Sequence, residues 1–195
     1  NKAALKNQEL NPNVAFSDSI QAGIYMKHPR IIRIKADMVD QMDYDKILSM
    51  YQDRFKDASD FTFIFVGNVD VEKMKPVIAE YLGALPAVNR KETFKDNKIE
   101  MRQGIYKNEF TKQQETPKAS VFAFYNGDCK YDLRNNLLLS MTSQILDLVY
   151  TEKVREDEGG TYGVYVGGTL QKYPKEKAIL QIIFDTAPEK KEKLM

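Results

Sequence analysis

The order of its apolar patterns constrains this chain most. Leu133, Leu137, Met141, Ile145, Leu148 and Val149 recur at spacings of three and four behind Asp132, a side chain suited to an N-cap. A long amphipathic helix is therefore predicted, continuing toward Arg155. On both sides of it the period changes to two or to short apolar runs. Ala119 to Tyr125 sets Val121, Ala123 and Tyr125 against Phe122 and Phe124, while Tyr162 to Val166 and Ala178 to Phe184 read as two further strands turned at Tyr173-Pro174. Strand, helix and strands, without regular βαβ alternation, predict an α+β fold whose sheets are mainly antiparallel and packed with helices.

Upstream, Tyr44, Ile47, Leu48, Tyr51 and Phe55 fall at helical spacing behind Asp43. Phe61 to Val66 is aromatic and β-branched up to Gly67-Asn68 and reads as a strand. Asp70 then caps a second helix carrying Met74, Val77, Ile78, Tyr81 and Leu82, closed by Gly83 and Pro86. Pro76 removes a backbone donor and is expected to kink that helix or shift its start. Gly104 to Thr111 reads as another strand, separated from Ala119 by a polar loop with Pro117. Nearer the N-terminus, a short helix is expected from Ser17 or Asp18 through Tyr25, with a turn at His28-Pro29. Residues 87–100 are polar and lack either period, so they read as a linker between a domain at 1–88 and a second at 89–195. Asn1 to Leu10 opens without a cap or initiating Met, and the last residues stop inside a charged run. The chain is expected to be an internal fragment.

Several chemistries are excluded by what 195 residues contain. There is one histidine, His28, so neither a His-Glu-x-x-His zinc motif nor its inverted form can be built, and a local hydrogen-bonding role suits His28 better. Metal ligation within this chain is therefore not expected. Cys129 is alone, which rules out an internal disulfide and leaves the compartment open, the bacterial periplasm and the cytoplasm included. The 29 basic and 28 acidic residues are interspersed, giving no polybasic arm for nucleic acid, and no apolar run is long enough for a membrane span. Gly159-Gly160, Gly163 and Gly167-Gly168 follow a helix and flank a strand, the reverse of a dinucleotide fingerprint, and no phosphate-binding Gly-x-x-x-x-Gly-Lys motif occurs. No cofactor is expected to bind this chain.

Arg155 and Tyr162 stand seven positions apart across Gly159-Gly160. Chemistry alone leaves two readings open. Arg155 either complements a helix dipole or pairs with Glu152, and Tyr162 is a core strand residue; or the guanidinium and phenol serve together as hydrogen-bond donors to a ligand.

Two motifs in sequence carry a resemblance. The helix, Phe-Thr-Phe-Ile-Phe-Val-Gly-Asn, helix and Gly-Ala-Leu-Pro order from about Asp43 to Pro86, followed by the Arg155 and Tyr162 pair, resembles the C-terminal half of pitrilysin/insulinase-type zinc metallopeptidases. It covers most of the chain from about residue 16 onward. The resemblance implies a LuxS/pitrilysin-like metallopeptidase fold within a clamshell of two similar halves. It implies zinc in the N-terminal half or a partner subunit, a peptide substrate, and Arg155 and Tyr162 contacting the substrate backbone and the developing oxyanion. The family also includes catalytically inactive structural or partner subunits, so that alternative stays open here.

Overall fold

The structure, a computed structural model, describes residues 2–157 and 163–195, the side chains of residues 155–157 excepted. The chain forms two compact units, one of residues 3–33 with 98–195 and the other of residues 34–97 with Lys2.

In the first unit, helices α1 (Lys2–Leu10) and α2 (Pro12–Ile24) precede strand β1 (Ala119–Asp128), helix α5 (Leu133–Tyr150), strands β2 (Val164–Gln171) and β3 (Lys177–Thr186) and the short α6 (Lys191–Leu194). The second unit holds α3 (Tyr44–Phe55) and α4 (Val71–Tyr81). The predicted caps form. Asp43, Asp70 and Asp132 each accept a hydrogen bond from the backbone N–H three residues on, satisfying a donor that the first helical turn leaves open. Helix α4 starts at Val71 and runs through Pro76. Its end needs Gly83, where a Cβ would stand 2.5 Å from the Ala79 carbonyl oxygen. Helix α2 begins earlier than expected, capped by Asn11 with Pro12 at the first helical position, where a missing N–H costs nothing.

The sheet is antiparallel, in the order β1-β3-β2. Val121, Ala123, Leu180, Ile182, Phe184, Val164 and Val166 share one face, and Leu146 and Tyr150 of α5 pack onto it. Val166, Ile182 and Phe184 are its most enclosed members, each about 5–6% exposed. Burying such a side chain stabilises a fold by about 1.5–3 kcal/mol, so this face anchors the unit.

Two expected strands do not form ladders. Phe61 to Val66 forms neither helix nor strand, no described segment pairs with it, and Ile64 and Val66 are largely exposed. Propensity makes a segment extended; a strand also needs a neighbour to meet its N–H and C=O groups. Gly104 to Thr111 likewise carries no ladder bonds; Tyr106 and Asn108 are engaged by α2 instead, and Lys112, just beyond, by α1. Residues 87–100 contain no helix or strand.

Candidate functional site

Helix α5 passes directly into a π-helical segment, Thr151–Asp157, whose backbone carries Arg155. Wider turns of this kind are uncommon and concentrate at functional positions. Val154, next to Arg155, is buried at 6% exposure, so the segment is seated on the unit. The Arg155 side chain, Gly159-Gly160 and Tyr162 lie outside the described residues.

What brackets them is well defined. Asp147, half-buried on α5, accepts a hydrogen bond from the Val166 amide of β2 at 3.0 Å. Gly168 lets the same strand approach closely, since a Cβ there would meet Leu139 Cγ at 3.0 Å and the Leu139 carbonyl oxygen at 3.2 Å. Helix α5 and strand β2, which flank residues 155–162, are thus fixed against each other, by Asp147 and Val166 near that connection and by Leu139 and Gly168 farther from it. A short connection held at both ends limits where its side chains can reach.

His28 sits far from this chemistry in sequence, and its Nδ1 accepts from the Arg30 amide at 3.2 Å, the local turn role its His-Pro-Arg context suggests. Among the described residues no group of three or more His, Cys, Asp or Glu side chains could hold a metal ion. Cys129 is a free thiol. No described helix is long and apolar enough to cross a membrane.

Comparison with known proteins turns on one match. A family description, the peptidase M16 inactive domain, fits residues 41–195, more than three quarters of the chain. The chain belongs to the M16 peptidase family. Its fold agrees with that assignment. The periplasmic protease PqqL from Escherichia coli superposes with a TM-score of 0.81 at 22% identity, covering 98% of this chain and 21% of that one. The ferredoxin protease FusC, solved as a mutant in complex with Arabidopsis ferredoxin, gives a TM-score of 0.71 at 15% identity, with 96% and 20% covered. This M16 domain therefore spans about a fifth of the length of each protease it resembles in fold. No curated protein matches it by sequence.

Sequence reasoning found the helix that leads toward Arg155 and, from its expected strand Tyr162 to Val166, the start of β2, which runs on to Gln171; Tyr162 itself lies outside the described residues. That reasoning missed the clamp between helix and strand, Asp147 with Val166 and Leu139 with Gly168. Asp147 is one polar position within an apolar repeat, a weak signal that a helix face is interrupted for a purpose.

Proposed function

We propose that this M16 domain is the substrate-binding, non-zinc portion of a zinc-dependent peptidase that hydrolyses peptides inside a closed chamber. The observation that carries the reading is the placement of Arg155 on the π-helical turn that directly follows α5 and precedes β2 in sequence, in a chain that belongs to a peptidase family. The guanidinium of Arg155 and the phenol of Tyr162 suit two tasks. They donate hydrogen bonds to substrate backbone carbonyls, and they stabilise negative charge as it develops on the attacked carbonyl oxygen. Zinc would be held by another portion of the same polypeptide or by a partner subunit, with three protein ligands and one open position.

The experiment is a metal and activity assay on the complete protein together with any natural partner. Stoichiometric zinc, with peptidase activity lost to a chelator and restored by zinc, supports the reading. A complete assembly without zinc and without activity on unfolded peptides would instead make this domain a structural subunit of the family.

A further inference from the structure

The orientation of the Val166 amide fixes the hydrogen bonding of the whole sheet. That N–H points to Asp147 and hence away from β3, so Val166 and Ile182 face each other as a non-hydrogen-bonded pair. Backbone polarity alternates along a strand, so the N–H and C=O of Ile182 point the other way, to Ala123 of β1. The register is continuous, and the ladder bonds of β1 therefore fall at Val121, Ala123 and Tyr125. The backbone groups of Ser120, Phe122, Phe124 and Asn126 point outward, along an edge that no described strand pairs.

That edge opens into a groove of about 610 Å³ lined by Ser120, Phe122, Phe124 and Asn126 on one side and by α2 with residues 102–112 on the other. The far wall is held back from β1. Tyr106 lies against Gly23, Asn108 Nδ2 donates to Ser19 Oγ at 2.7 Å, and Lys112 Nζ donates to the Glu9 carbonyl at 3.0 Å. Among the described residues, the hydrogen bonds from this wall to β1 and the residue before it lie at the ends of the groove, Asn126 Nδ2 to the Arg102 carbonyl at 3.2 Å and Gln103 Nε2 to Asn126 Oδ1 at 3.1 Å at one end, and Gln114 Nε2 to the Lys118 carbonyl at 3.3 Å at the other. Between the bridges, the outward backbone groups of Ser120, Phe122 and Phe124 have no hydrogen-bond partner among the described residues.

The charges in the groove select an occupant. Lys118 pairs with Asp185 at 2.9 Å, and Lys191 with Glu109. Arg102 and Lys112 are held by neutral groups, Arg102 Nε on the Gly23 carbonyl at 2.8 Å with its guanidinium 4.0 Å over the Tyr106 ring, and Lys112 on the Glu9 carbonyl. Each leaves a positive charge that no described carboxylate meets, one near each end of the edge.

We propose that this groove binds an extended peptide segment with acidic flanks, added as a fourth strand to the β1 edge. Its backbone bonds Ser120, Phe122 and Phe124, alternate side chains rest on the apolar lining, and terminal carboxylates meet Arg102 and Lys112. The site is separate from Arg155 and Tyr162 and stands whether or not they contact substrate.

The test is titration of the complete protein with a labelled peptide of about nine residues, the length of the edge at about 3.3 Å per residue, alternating Val and Thr between Glu ends. Three comparisons are made: the same peptide with Lys ends, the same peptide with Pro at alternate positions, and protein variants. Phe122→Pro deletes an outward N–H without touching the β3 ladder, and Phe122→Ala controls for the lost ring. The expected result is binding of the Glu-flanked peptide, weakened about tenfold more by Phe122→Pro than by Phe122→Ala, as one edge hydrogen bond warrants. Arg102→Gln and Lys112→Gln should each weaken it severalfold, and the Lys-flanked and Pro-interrupted peptides should bind poorly to the unaltered protein. Equal binding of the Pro-interrupted peptide overturns the proposal. So does slow hydrogen exchange at the Phe122 and Phe124 amides without peptide, which would mean that residues 104–111 close the edge themselves.

Discussion

The carboxylate of Asp147 holds the amide of Val166 at 3.0 Å, a bond from the last turn of α5 to the third residue of β2. It ties the helix that leads into the Arg155 turn to the strand that follows Tyr162, and it occupies an edge donor that would otherwise invite another strand. Asp147→Ala should destabilise the domain by about 1.5–3 kcal/mol, the range for hydrogen bonds to charged groups whose partner is left unmet. Denaturant unfolding of the complete protein, with hydrogen exchange at Val166, measures this. An unchanged midpoint would show that the contact contributes nothing.

Gly168 is predicted to resist enlargement for a steric reason. A methyl group there meets both Leu139 Cγ and the Leu139 carbonyl oxygen, and the backbone atom cannot swing aside as a side chain can. Gly168→Ala should cost about 1–3 kcal/mol, and Gly168→Val more, as overpacking does. In contrast, Gly163 has nothing within 4 Å of a built Cβ, so a loss there equal to that at Gly168 would contradict the packing account.

In the second unit, Asp57 gathers residues 88–90 onto the end of α3. Its buried carboxylate accepts from Ser59 Oγ at 2.5 Å and from the Ser59, Val88 and Arg90 amides at 3.0, 3.0 and 2.7 Å. The Ser59 hydroxyl first, and then the backbone N–H groups, hold its acidity well below the usual carboxylate range against the opposing effect of burial. A folded-state value below the unfolded one means stability that is complete above the unfolded pKa, near 3.9, and lost as the pH falls from there toward the folded value. Asp57→Asn should lower the melting temperature at pH 7 and remove part of the acid sensitivity. Thermal melts from pH 7 to pH 2 check this; a mutant with the same acid profile as the unaltered protein would assign that sensitivity to other groups.

The α+β order, the long helix α5, the three Asp caps and the strands β1, β2 and β3 were legible because each rests on local signals. Asp132 precedes a sustained apolar stripe, and Val121, Ala123 and Tyr125 alternate with Phe122 and Phe124. Phe61 to Val66 and Gly104 to Thr111 were not legible in the same way. Ladder formation depends on a neighbour that sequence period does not name, and Tyr106 and Asn108 find α2 instead. Nor could spacing reveal Asp147 on Val166, since a single carboxylate within an apolar repeat does not say which amide it will reach. The division into domains at 88 and 89 is a proposal that rests on the polar, aperiodic run of residues 87–100 and on the resemblance.

Turnover by the complete protein tests the central claim most directly. In Arg155→Ala and in Tyr162→Phe, kcat on an unfolded peptide should fall by about 10²–10³, the effect of deleting one oxyanion donor, while KM changes little. A contact made chiefly in the transition state lowers kcat and kcat/KM together. Unaltered kcat in both variants, with only a lower melting temperature, would make Arg155 and Tyr162 structural and would contradict the account.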